Sequence, residues 1–194
     1  MRLPGSAHTS RPWRIHEIAH DFALEDVWAL PTPGGPDDFP RLVQMAAALD
    51  PSKTSSPVVR LLFEVRWRLG GLLRLDDAST GVGARVPTLR DRLPDDLRGT
   101  ASLPQFAALP FEVLYVTGDE LAAEIANRTV HGVLHLGWVP DDDGGYRGQL
   151  AVLVKRNGLL GAAYMAAITP FRHLVVYPTM TRDFGREWAK TRQP

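Results

Sequence analysis

The stretch from Asn127 to Trp188, NRTVHGVLHLGWVPDDDGGYRGQLAVLVKRNGLLGAAYMAAITPFRHLVVYPTMTRDFGREW, constrains the fold more than any other part of the chain. Two strand-length runs, Thr129 to Val139 and Arg147 to Arg156, flank Asp-Asp-Asp-Gly-Gly, the turn composition of an antiparallel hairpin. An apolar-periodic segment follows at once. Leu160, Tyr164, Ala167, Phe171 and Leu174 recur at steps of three or four, with Phe184 and Trp188 beyond them, so the spacing predicts a helix whose apolar face runs almost to the C-terminus. Pro170 and Pro178 each remove a backbone hydrogen bond, which predicts a kink or two helices in succession. The β-prone run Leu174 to Tyr177 could alternatively be a strand, but the continuous helical period favours helix. A hairpin with one apolar face needs a cover, and this helix supplies it.

Upstream, Pro12 to Ile18 alternates Trp13 and Ile15 with Arg14 and His16, the period of a half-buried first strand. The following HDFALEDVWAL has the spacing of a short helix. PTPGGPDDFP is too rich in Pro and Gly for regular structure, and Asp37 or Asp38 can cap a helix through Leu49, with Pro40 in its first turn. Pro57 to Leu75 reads as an amphipathic helix with Val58, Leu61, Leu62, Val65, Leu69 and Leu72 on its buried stripe. Asp76 to Gly99 is polar and turn-rich. Its Gly81-Val82-Gly83 lacks the preceding strand, third glycine and following helix of a dinucleotide fingerprint, and no Gly-Lys-Ser/Thr is present. Phe111 to Thr117 alternates as a strand, and Asp119 can cap a short helix, ELAAEIAN, closed by Asn127.

With 194 residues, 44% of them hydrophobic, the chain can bury one sizeable core, so a single domain over 1–194 is expected, with its core at about 8–190. Lys plus Arg equals Asp plus Glu at 22 each, which provides no net field to draw nucleic acid or an anionic membrane. Cysteine is absent, so thiolate nucleophiles, disulfides and Cys-ligated metals are excluded, and a cytoplasmic protein is expected. No apolar run is long enough to span a bilayer, and the first residues carry no signal-like apolar stretch. No motif calls for a cofactor, and none is expected.

The segments HTSRPWRIHEIAHDFALEDVWALPTPGGPDDFP, TLRDRLPDDLR, NRTVHGVLHLGWVPD and YMAAITPFRHLVVYPTM resemble the domain-of-unknown-function family numbered 2867, over about His8 to Trp188. That family is assigned to the START-like, birch-pollen-allergen-like superfamily. The resemblance implies an α+β helix-grip fold, a curved antiparallel sheet wrapped around a long kinked C-terminal helix with a cavity between them. It supplies no catalytic residues.

Candidate residues therefore come from pattern alone. His131 and His135 lie four apart, a chelating spacing on a helix but roughly 13 Å apart on one face of a strand, too far to share a metal. Val130, Leu134, Leu136 and Trp138 take the other face and look more like core, so alternation puts the histidines on the outer face, where they could serve a homodimer contact. Turned inward, either would be a candidate general base. Glu112, beside Leu114 and Val116, is a candidate acid or base if it faces an apolar cavity, and a solvated carboxylate on the surface otherwise. Tyr115, Tyr164, Phe171 and Trp138 are candidate ligand contacts, although packing explains an isolated tyrosine equally well. Asp141 to Asp143 lack the ligand spacing of a calcium loop, and no Gly-x-Ser-x-Gly elbow is present. The expected partner is a small apolar or aromatic molecule held in an internal cavity. The alternative expectation is a cofactor-free cyclase, isomerase or lyase working by acid-base catalysis in that cavity, with Glu112, His131 or His135 as its catalytic group.

Overall fold

A computed structural model describes residues 1–50, 82, 86–99, 104–127 and 129–190, with side chains omitted at 159–164 and 167. The helix expected from Pro57 to Leu75 lies outside the described residues, as does most of Gly81-Val82-Gly83.

Among the described residues, five antiparallel strands form one sheet: β1 (Ala23–Ala29), β2 (Glu112–Val116), β3 (Glu120–Ala126), β4 (Val130–Pro140) and β5 (Tyr146–Arg156), in the order β1-β5-β4-β3-β2. Short helical turns α1 (Ser6–Thr9) and α2 (Ile15–Ile18) precede β1, and α3 (Phe39–Ala48) follows it. After β5 come α4 (Gly158–Phe171), a π-helical segment (Arg172–Val176) and α5 (Tyr177–Lys190). The class is α+β, as expected.

The hairpin forms as the turn composition predicts. β4 and β5 pair without interruption from Val130↔Arg156 to Pro140↔Tyr146. Gly144 takes φ 81° at the tip, the left-handed geometry that glycine adopts without steric cost. The run Leu174 to Tyr177 is helical, and the chain passes Pro170 and Pro178 as two α-helices joined by the π segment.

Three expectations fail, each for a tertiary reason. Pro12 to Ile18 is not the first strand. Ile15, Ile18, Ala19 and Phe22 are all buried, and their spacing of three and four is served by the turn α2. The first strand is instead ALEDVWA, where a helix was expected. Here Val27 and Trp28 enter separate hydrophobic clusters on opposite faces, and residues Met1 and Leu3 bond to the same strand through Ala29 N–H to Met1 O (2.8 Å) and Leu3 N–H to Val27 O (2.8 Å). ELAAEIA, with good helix formers, is strand β3, because pairing on both sides outweighs a weak intrinsic preference. Asn127 closes a turn there rather than a helix. Its Oδ1 accepts from Thr129 N (2.9 Å), Thr129 Oγ1 (2.8 Å) and Val130 N (3.1 Å), which folds β3 back onto β4. At α3, Asp38 occupies the N-cap position, but its carboxylate accepts from Gly35 N (2.7 Å) and makes no cap bond.

The sheet is covered on both faces. Trp13, Ile15, Ile18 and Phe22 from the N-terminal segment, with Leu89, Leu93 and Leu97 from two 3-10 turns (Leu89–Arg92 and Asp95–Leu97), pack on one face against Val133, Ala151 and Leu153. We call this the N-terminal face. A bulge between Val113 and Tyr115 sends both Leu114 and Tyr115 into that core. The other face, the helix face, packs Leu121, Ala123, Leu136, Trp138 and Leu150 against α3 and against Tyr177, Phe184 and Trp188 of α5. The expected apolar stripe is therefore buried at Phe184 and Trp188, whereas Phe171 is 54% and Leu174 77% exposed. The π segment inserts an extra residue per turn and rotates the stripe out of phase.

Candidate functional site

The N-terminal face holds two buried carboxylate–histidine pairs. Ala122 lies opposite His135 and Ala126 opposite His131, so Glu120 and Glu124 reach the histidines along the sheet diagonals. His135 Nε2 is 2.8 Å from Glu120 Oε2, and His131 Nε2 is 2.7 Å from Glu124 Oε2. Each glutamate also holds the covering layer. Glu120 accepts from Arg14 N (2.8 Å) and Tyr115 OH (3.1 Å), and Glu124 accepts from Leu89 N (3.1 Å) and the Thr88 hydroxyl.

A line of rings leads outward from the first pair. His8 Nε2 is 3.2 Å from His135 Nδ1, and His16 Nε2 is 3.2 Å from His8 Nδ1. Each of these contacts can pair one ring N–H with one acceptor, so His16, His8, His135 and Glu120 form a continuous hydrogen-bonded line. Burial, then repulsion from His135 and His16, pushes the His8 pKa down to about 3, and His16 is lowered in the same way by burial and His135. For Glu120 burial acts upward, but hydrogen bonding and charge from His135 outweigh it and leave the carboxyl below its usual range. Glu124 is lowered by the same balance, with His131 and Thr88 as the opposing partners. The Tyr115 hydroxyl is pushed up, chiefly by burial and then by the Glu120 charge.

These positions correct the expectation that the histidines face outward. His131 and His135 are buried, at 4% and 0% exposure, because the chain itself covers the face that alternation assigned to solvent. Among the described residues, Trp13, Ile18 and Phe22 of the N-terminal segment and Leu89, Leu93 and Leu97 pack on that face. The two histidines bind separate glutamates, and no group of three His, Asp or Glu side chains is placed to hold a metal among the described residues. Tyr115 shares Glu120 with His135 and so packs on the N-terminal face. Trp138 is also a packing residue, donating from Nε1 to Gly35 O (3.0 Å) with its ring 5.8 Å from Trp188. Glu112 is exposed. With Arg90, Phe106 and Phe111 it lines an open depression of about 370 Å³ at the β2 edge. Phe171 is exposed, and the Tyr164 side chain lies outside the described ones.

The helix face is organised differently. One row crosses all five strands in register: Asp26, Val152, Leu134, Ala123 and Val113. Leu134 and Val152, at its centre, are only half-buried, whereas Val133 and Leu153, their neighbours on the N-terminal face, are 1% and 4% exposed. The same two strands are thus fully buried on one side and only partly covered on the other.

Asp26 ends the row at β1 and binds the C-terminal helix. Its side chain is fully buried, with His173 Nε2 2.6 Å from Oδ1, Tyr177 OH 3.0 Å from Oδ2 and the Arg172 guanidinium on Oδ2 as well. The π segment makes this possible. Residues five apart align in a π-helix, whereas in an α-helix Arg172 and Tyr177 would point in different directions. Burial, then the Asp26 charge, pushes the Tyr177 hydroxyl up. The Trp28 ring stacks on Tyr177 at 5.0 Å and 28°. Trp28 Nε1 and Arg172 Nε are buried without a hydrogen-bond partner among the described residues.

Sequence reasoning missed both clusters. Glu120 and Glu124 share the four-residue spacing of His131 and His135, a signal that was legible once ELAAEIA is taken as a strand beside HGVLH. Asp26, Arg172, His173 and Tyr177 carry no such signal, because 146 to 151 positions separate the aspartate from its partners.

The architecture defines an α+β protein with one antiparallel sheet, a C-terminal helix across one face and a titratable cluster where the helix meets the sheet edge. Residues 18–179 match the family described as protein of unknown function (DUF2867), and the chain belongs to that family. No protein of curated function and no solved structure matches it. No helix among the described residues is long and apolar enough to cross a membrane.

Proposed function

We propose that this chain is a small-molecule-binding protein of helix-grip, START-like type, taking an apolar or aromatic ligand between the helix face of its sheet and the C-terminal helix. The observation that carries the reading is the half-burial of Leu134 and Val152 at the centre of a sheet whose opposite face is closed. Apolar side chains in the middle of a sheet are otherwise sealed by their cover, and a partly open apolar floor with polar groups at one end is the composition of a ligand site. The absence of cysteine keeps the cytoplasm as its proposed location.

The test is a fluorescence titration with N-phenyl-1-naphthylamine, a neutral aromatic probe whose emission rises in apolar surroundings. Saturable one-to-one binding that is lost in Leu134→Trp, with the fold retained by circular dichroism, supports the reading. Absence of saturable binding, or binding that Leu134→Trp leaves unchanged, overturns it.

Acid-base catalysis in the same groove is the second reading, and the Asp26–His173 contact at 2.6 Å favours it. A buried carboxylate on one ring nitrogen orients an imidazole, which is the positioning a general base needs. His173 is 25% exposed, so the ring is within reach of solvent and ligand. This moves the proposed base away from Glu112, which is exposed, and from His131, whose ring lies against Phe22 at 4.9 Å within the N-terminal core. Deuterium exchange from D2O into a ligand extracted with the protein, present in the native chain and absent in His173→Gln, is the expected result. Equal exchange in both would exclude His173 as the base.

A further inference from the structure

We propose that the β1 end of this groove is an oxyanion-binding subsite, so that the ligand is an apolar or aromatic body carrying a carboxylate or similar acidic head group. The inference rests on the groove reading and specifies the ligand's chemistry. Its first support is the pair of unpartnered donors. Arg172 Nε and Trp28 Nε1 are both buried with no acceptor among the described residues, and both side chains adjoin Tyr177, the indole by stacking at 5.0 Å and the guanidinium at 6.0 Å from the ring centroid. A buried N–H without an acceptor is unfavourable, and an oxygen brought by a ligand would relieve both.

Charge is the second support. Around Asp26 the ion pairs join three guanidinium groups, Arg2, Arg156 and Arg172, to two carboxylates, Glu25 and Asp26. Among the described residues, one positive charge is left over at this end. Asp26 does not oppose an incoming anion strongly, because Arg172 and Tyr177 engage Oδ2, and His173 and Arg2 face Oδ1. Position is the third. Asp26 pairs in register with Val152, so the charged cluster adjoins the half-buried apolar floor directly. An apolar floor ending in unsatisfied donors and a surplus cation matches an amphipathic anion.

The experiment compares two probes with the same ring system, 1-anilinonaphthalene-8-sulfonate and neutral N-phenyl-1-naphthylamine, on the native chain and on two conservative variants. Trp28→Phe removes one donor and keeps the stacking ring. Arg172→Lys removes Nε and keeps the charge beside Asp26. The expected result is about tenfold tighter binding of the sulfonate than of the neutral probe, a ratio well outside titration error. Each variant should weaken the sulfonate several-fold and leave the neutral probe unchanged; if the lysine variant misfolds by circular dichroism, Trp28→Phe alone carries the comparison. Equal affinity for the two probes overturns the oxyanion subsite while the groove stands. A sulfonate preference that persists unchanged in the folded variants overturns it too, by locating the anion elsewhere. If neither probe saturates, the groove reading falls with it.

Discussion

His8 Nε2 lies 3.2 Å from His135 Nδ1, although 127 positions separate the two residues in the chain. Through this contact the N-terminal segment is fastened to the middle of the sheet, and because burial disfavours the charged form of His8, its docking is sensitive to acid. In the unfolded chain a histidine titrates near 6.5, but folded His8 resists protonation down to about 3. Between those values the unfolded state binds more protons, so stability falls as pH drops through that window. Glu120, with its folded pKa lowered, adds loss of the same sign below the usual carboxyl range. Urea unfolding at pH 7.5 and pH 4.5 should differ by about 2 kcal/mol or more, and His8→Phe should flatten the slope. A midpoint independent of pH would show that His8 is not held neutral.

Asp26→Asn should be severe. The carboxylate is fully buried and holds Arg172, His173 and Tyr177 of the C-terminal helix at once. Removing its charge leaves the buried Arg172 guanidinium with only the longer contact to Glu25 at 3.9 Å, and breaking a buried ion pair costs about 3–5 kcal/mol. Hydrogen exchange should show Arg172–Val176 losing protection before the β4–β5 hairpin does. Uniform loss across the chain would mean that the cluster does not anchor the helix locally.

Gly137→Ala should disturb the N-terminal cover at Trp13, whose ring lies 5.2 Å from that of His135. A Cβ at this position would stand 2.7 Å from Trp13 Cζ2 and 2.8 Å from Cη2, closer than carbon atoms approach. The indole must move or the strand must shift, and overpacking of this kind costs about 1–3 kcal/mol. The expected signature is a changed near-ultraviolet dichroism from Trp13 with the far-ultraviolet spectrum retained. An unaltered melting temperature would show that the indole yields freely.

Trp188→Ala tests how the C-terminal helix is fastened at its far end. The indole donates to Pro33 O (2.9 Å), and the Arg41 guanidinium lies 3.7 Å from the ring centroid, so both the loop after β1 and α3 depend on it. Truncating a buried tryptophan costs about 3–5 kcal/mol, and thermal unfolding should reflect that. A shift of under a degree would mean that the end of α5 is dispensable.

The hairpin and the helical C-terminus were legible because their signals are local: a turn composition between two alternating runs, and a sustained period of three to four. β3 was not, since Leu121 to Ala126 carries helix-forming residues and becomes a strand only through neighbours on both sides. Strict alternation along β4 correctly separated His131 and His135 from Leu134 and Leu136. It could not reveal that residues Trp13, Ile18 and Leu89, distant in sequence, would cover the histidine side. The Asp26 cluster was invisible for a related reason, because the π segment that aligns Arg172 with Tyr177 breaks the period by which a helix face is read.

The most direct test of the ligand groove is nuclear magnetic resonance on protein with labelled Leu and Val methyl groups, titrated with N-phenyl-1-naphthylamine. Intermolecular Overhauser effects from the probe to Leu134 and Val152, and none to Val133 or Leu153, are predicted, because the two pairs occupy opposite faces of the same strands. Contacts to Val133 and Leu153, or a probe that touches none of the four, would contradict the account.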